Sequence, residues 1–175
     1  VVTGSDDKTV RVWSAATGTC LKVVGEHQGP LSDVILQGGL IMTACFDGKV
    51  RVIDVVTGRL LRTVPGHRNA VLTMDARGRI VVTGGNDRDL RVWDLEERAV
   101  APSPQVQVSA NRVTVQHGCD TREGGAGAED CKLGYALSGH NSGIQKVCIV
   151  GERIVTGSDD YELRVWDFAK WPKKK

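Results

Sequence analysis

Apolar and polar positions alternate in short runs along this chain. Ile80–Thr83 and Leu90–Trp93 flank a polar Gly-Gly-Asn-Asp turn at 84–87, which is a β-hairpin signal. A third run, Ala70–Met74, precedes them across an Arg-Gly turn. Three short strands with this punctuation predict a meander.

The unit recurs. Thr83–Asp87 has counterparts at Thr3–Asp7, Thr43–Asp47 and Thr156–Asp160, and six residues after each final Asp comes Trp93, Trp13, Ile53 or Trp166. His27, His67 and His140 lie 26 residues before Ile53, Trp93 and Trp166. Trp13 to His27 is 14 residues, as is Ile53 to His67, so the period is 40. Trp93 to His140 is 47, and that connection therefore carries 33 extra residues before the register resumes. A single meander cannot bury both of its faces, so repeated meanders are expected to stack radially and share a core.

A Gly-His about 26 residues before a Trp-Asp, on a period near 40, resembles the WD-repeat β-propeller family. Gly66-His67 and Gly139-His140 carry the first element, with Gly25-Glu26-His27 as a variant. Trp93-Asp94 and Trp166-Asp167 carry the second, with Trp13-Ser14 and Ile53-Asp54 as half matches. The resemblance implies an all-β propeller with about four blades of a larger ring visible, at about 1–24, 30–64, 70–95 and 133–168. It also implies a buried hydrogen-bonded chain from Trp indole through hydroxyl and imidazole to the turn carboxylate. Two such sets are His67, Thr83, Asp87, Trp93 and His140, Thr156, Asp160, Trp166. Each set imitates a nucleophilic triad, but repetition at one period points to structure. Ile53 supplies no indole donor, so the second blade is expected to have a broken network and to be softer.

Taken in order, residues 1–13 supply the second and third strands of a blade whose innermost strand is absent, and Thr19–Val24 its outer strand. The outer strand of the third blade is unclear because Pro102 and Pro104 interrupt the expected run. Residues 96–131 read as an inserted rim hairpin (106–115) and loop (118–130). A degenerate fifth blade is disfavoured because the excess falls short of one period and no Asp-x5-Trp appears. Leu133–Ser138 resumes as an outer strand, and a blade from Ile144 to Phe168 follows. Neither end closes, which suggests part of a longer protein.

Composition changes this picture little. The chain has 175 residues, is 41% hydrophobic and 25% charged, and has a net charge of +2, too small to argue for nucleic acid or membrane affinity. No run approaches a membrane span, and the first residues read as strand rather than as a signal peptide. The odd count of five cysteines, with Cys20, Cys45 and Cys148 in strand-like contexts, suggests reduced, buried thiols in a cytoplasmic or nuclear protein. His117, Cys119 and Cys131 do not have the paired spacing of a zinc site. The Gly-rich run at 124–127 lacks the P-loop lysine, and Lys173–Lys175 reads as a solubilising tail. No metal and no cofactor are expected.

The resemblance also carries over partner-contact positions on the narrow top face of the propeller. These are the residue before each turn Asp (Asp6, Phe46, Asn86, Asp159) and the residue five after each histidine (Ser32, Leu72, Gln145). None is Arg, which suggests an apolar or basic segment rather than a phosphopeptide. The expected function is a non-enzymatic scaffold binding other proteins or peptides. Short turns such as Gln37-Gly-Gly resemble the compact propellers of F-box adaptors for ubiquitin ligases. An appendage of a larger enzyme, or a subunit of an RNA-processing assembly, is the alternative.

Overall fold

The computed structural model of the protein describes residues 1–25, 27–64, 66–95 and 132–167. Fourteen strands occur among them, and no helix. They are β1 (Val2–Gly4), β2 (Val10–Trp13), β3 (Cys20–Val24), β4 (Leu31–Gln37), β5 (Leu40–Cys45), β6 (Val50–Asp54) and β7 (Leu60–Val64). The remainder are β8 (Val71–Arg77), β9 (Ile80–Gly85), β10 (Asp89–Asp94), β11 (Lys132–Ser138), β12 (Ile144–Val150), β13 (Arg153–Ser158) and β14 (Leu163–Asp167). They form four antiparallel sheets, ordered β1-β2-β3, β4-β5-β6-β7, β8-β9-β10-β11 and β12-β13-β14. This is an open, partial propeller, and each sheet is a blade.

One pairing departs from the sequence reading. Lys132–Ser138, grouped there with the blade that follows, pairs antiparallel with β10 and is the outer strand of the third blade. The fourth blade therefore begins at Ile144. The expected insertion at 96–131, with His117, Cys119 and Cys131, lies outside the described residues, as do Phe168 and the lysine tail.

The core lies between blades. Successive residues of a strand point to opposite faces, so β5 directs Ile41 toward the first blade and Met42 toward the third. Val81 and Val82 of β9 divide likewise between the second and fourth. Both faces of an inner blade are thus apolar. Ile53 is fully buried against Val10 and Leu31, filling the place an indole takes elsewhere. On the last blade Leu163 is 79% exposed and Val165 62%, whereas the matching Leu90 and Val92 of the third blade are buried. The thiols divide differently from expectation. Cys45 is buried, but Cys20 and Cys148 lie on strand faces open to solvent.

Side-chain bonds also stitch the inner strands together. An inner strand has no ladder partner on its axial edge, and its amides need acceptors. Asp33 Oδ2 accepts the Met74 amide of the next blade at 3.0 Å, and Asp75 Oδ2 accepts that of Ile149 at 2.7 Å. At the opposite end, Gln37 donates to the Gly78 carbonyl and Arg77 to that of Gly151.

Candidate functional site

The polar networks of the third and fourth blades are built alike. Trp93 Nε1 donates to Thr83 Oγ1 at 3.0 Å, Thr83 Oγ1 lies 2.8 Å from His67 Nε2, and His67 Nδ1 lies 2.6 Å from Asp87. Trp166, Thr156, His140 and Asp160 repeat this at 3.0, 2.8 and 2.8 Å. The donors fix the direction. An indole only donates and a carboxylate only accepts, so the threonine hydroxyl donates to Nε2 and the imidazole proton sits on Nδ1. Burial opposes ionisation of Asp87, but the His67 hydrogen bond, the Arg68 amide and Arg91 outweigh it and hold the carboxyl below its ordinary range. Asp160 is likewise lowered, with the Asn141 amide and His140 as the main counterweights to desolvation. Thr83 and Thr156 are fully buried, so neither hydroxyl is presented to solvent as a nucleophile.

The second blade is broken at two points rather than one. His27 Nε2 keeps its bond to Thr43 at 2.9 Å, but Asp47 turns to Arg51 at 2.7 Å, and the buried His27 Nδ1 has no hydrogen-bond partner among the described residues. With no indole to receive, the Thr43 hydroxyl lies between His27 Nε2 and, at 3.5 Å, the Arg51 carbonyl. Burial and the Arg51 charge hold His27 below the ordinary histidine range, outweighing Asp47 and the nearby Lys8 carbonyl. At Gly66 of the third blade a Cβ would fall inside the Gly48 carbonyl oxygen. Glu26 stands at the equivalent place in the second blade.

Six of the seven carried-over positions, all but Asp6, are brought together by a device that alternation does not reveal. Each inner strand pairs with its neighbour up to Leu31, Val71 or Ile144, skips one residue and resumes at Asp33, Thr73 or Lys146. The skipped residues are Ser32, Leu72 and Gln145. A bulge of this kind re-aims a side chain at the end of a ladder. The turns are tied to the same strand ends, because Phe46, Asn86 and Asp159 donate their amides to the carbonyls of Pro30, Ala70 and Gly143 at 2.9, 2.9 and 3.1 Å.

Their roles differ. Gln145 Nε2 donates to Asp159 at 2.7 Å, and Leu72 and Asn86 meet beside Gly143. Phe46 is 50% exposed, and Asp6 is exposed with no side-chain hydrogen bond among the described residues. Ser32 is spent internally, since its hydroxyl reaches the carbonyls of Ala44 and Val71. Sequence reasoning missed Asp33 and Asp75, whose signal was a carboxylate in the middle of a strand. It also missed the turn residues Lys8, Arg88 and Tyr161, which hold left-handed backbone (φ 70°, 71° and 65°) where the second blade has Gly48. His140, Asp160 and Glu162 come close enough to hold an ion, but the His140–Asp160 bond already occupies that pair.

Comparison with known proteins fits this geometry. The family described as WD40, WD domain, G-beta repeat matches residues 1–14, 58–94 and 131–167. The unmatched stretch 15–57 contains the broken second-blade network. No curated protein matches the chain. Among solved structures, the computationally designed Ika4 protein superposes with a TM-score of 0.71 at 23% identity, over 95% of this chain and 83% of its own. The WD40 β-propeller domain of Doa1 superposes with a TM-score of 0.66 at 21% identity, over 94% of this chain. This chain spans 45% of the Doa1 chain.

Proposed function

The chain belongs to the WD40 repeat family, and from that premise we propose that it is a non-catalytic protein-interaction scaffold. Its contact surface is the end of the blades where Leu72, Gln145 and the turn residues Phe46, Asn86 and Asp159 converge. The single observation behind this is the recurring bulge, which places a side chain beside each turn in three successive blades. A half-exposed Phe46 gives that face an apolar anchor of the kind that dominates binding energy in interfaces. The occupant is an apolar segment of a partner protein.

A photo-crosslinking side chain placed at Phe46, with Val56 (77% exposed) as the comparison position, tests this in extracts of the source cells. Crosslinks to one protein from Phe46 and not from Val56 are expected. Equal capture from both positions overturns the assignment of the face. The finer reading, substrate recognition for a ubiquitin ligase, rests on the short turns alone, including the two-residue Gly38-Gly39 turn with both φ positive. The exposed Cys20 and Cys148 thiols suit a reducing compartment, the cytoplasm or nucleus. No helix of the described residues is long and apolar enough to cross a membrane.

A further inference from the structure

We propose that the junction of the second and third blades is an anion-reading corner of this face, where Lys49, Arg68 and Arg88 receive the carboxylates of an acidic segment in the partner protein. The inference rests on the contact face assigned above and adds the sign of charge that it reads.

Backbone contacts assemble the corner. Arg68 follows His67, whose amide donates to the Gly48 carbonyl at 2.8 Å. The Arg68 amide itself donates to Asp87 at 2.9 Å. Arg68 is thereby clamped between the turn that carries Lys49 and the turn that carries Arg88. All three side chains are exposed, and none has an acidic partner among the described residues. The carboxylates carried by the same turns are already engaged: Asp47 with Arg51 at 2.7 Å, Asp87 with His67 and Arg91, and Asp89 with Ser138 and Arg91.

The repeat supplies its own control. At the junction of the first and second blades the same three positions are Thr9, Gln28 and Gly48, and at the third and fourth they are Asp89, Asn141 and Tyr161. The chain therefore forms both of the other junctions without a cation at these positions.

The chemistry selects the partner. Two guanidinium forks pair carboxylates bidentately, and the Lys49 ammonium adds a flanking point charge. Phe46, on the same turn as Lys49, offers an apolar contact beside them. The seven carried-over positions contain no Arg, but these adjacent residues reverse the preference at one corner. Asp6 and Asp159, exposed on the outer blades, oppose an extended polyanion such as a nucleic acid strand. A short acidic segment with an apolar residue fits within one junction.

The test is fluorescence anisotropy of the protein with a labelled Glu-Glu-Leu-Phe-Glu-Glu peptide, its Gln-for-Glu analogue and a ten-nucleotide oligothymidylate. The key variant is R68Q/R88G, which installs residues the chain itself uses at the first junction and so preserves the fold. The acidic peptide is expected to bind, more weakly at higher salt, and to lose about tenfold in affinity in R68Q/R88G. The Gln analogue is expected to bind weakly to both proteins. Unchanged affinity in R68Q/R88G, equal binding of the oligothymidylate, or no binding of the acidic peptide to the unmodified protein each overturns the proposal. Phe46→Ala separates the two readings. If it weakens the peptide while R68Q/R88G does not, the face stands and the charge reading falls. If neither variant changes binding, both fall.

Discussion

Replacing Thr83 by valine removes one hydroxyl and almost nothing else, so it isolates what the buried network contributes. Thr83 is fully buried, accepts from Trp93 and donates to His67. In the variant the indole N–H, on a side chain only 2% exposed, and His67 Nε2 both lose their partner where water does not reach. A buried polar group left unsatisfied costs about 1–3 kcal/mol, so two place the loss at about 2–6 kcal/mol. Thr43 provides the comparison within the same molecule. It too is fully buried and bonded to its histidine, but Ile53 replaces the indole. Thr43→Val therefore strands one group rather than two, and the expected loss is about 1–3 kcal/mol. Urea unfolding followed by far-ultraviolet circular dichroism reads both, as midpoint shifts at constant slope. Adding Trp93→Phe to Thr83→Val removes the stranded donor and should recover part of the loss. Equal losses in Thr83→Val and Thr43→Val would show that the indole bond contributes nothing, and the network argument would fail.

Acid should weaken the fold in two stages. His27 is held below its ordinary pKa, so the unfolded chain takes up the proton first and stability falls once pH drops below about 6.5. The lowered carboxyls of Asp47 and Asp87 contribute fully above about pH 4 and lose that contribution as pH falls through their folded values. His27→Gln should flatten the urea midpoint between neutral pH and about pH 5 while leaving the second stage; an unchanged first stage would exclude His27 as its source. Gly66→Ala forces a Cβ into the Gly48 carbonyl, a backbone atom that cannot rotate aside, and should cost about 2–4 kcal/mol in thermal unfolding. Asp33→Ala frees the Met74 amide, which should exchange hydrogen faster at a cost of about 1 kcal/mol. The Ile149 amide, held by Asp75, should not change.

The repeat was legible because its signals are local and periodic. The constant offsets among His67, Thr83, Asp87 and Trp93 name the residues that meet in space, and the same offsets hold for His140 through Trp166. Three features were hidden for physical reasons. The bulges at Ser32, Leu72 and Gln145 are slips in hydrogen-bond register, and one extra residue leaves the apolar alternation nearly intact. The place of Lys132–Ser138 depends on pairing across a long connection, about which local pattern is silent. The break at His27 depends on Asp47 turning to Arg51, a choice of partner that only the folded chain defines. The cations at 49, 68 and 88 were in plain view. They acquired meaning when the junctions could be compared position by position.

The return of β11 to the edge of β10 has a practical consequence. The chain leaves the third blade at Asp94 and rejoins that same blade at Lys132. A break in the polypeptide anywhere between would yield two fragments that still share a ladder from Asp89↔Ser138 to Asp94↔Lys132. They would also share the apolar contact of Val82 and Leu90 with Leu137 and Ile144. The protein is therefore divisible at a point where covalent continuity contributes little to the interface. Residues 1–95 and 132–175, expressed separately and each fused to half of a reporter, would make a two-part complementation pair whose reassembly reports on the outer ladder of the third blade and its packing against the fourth.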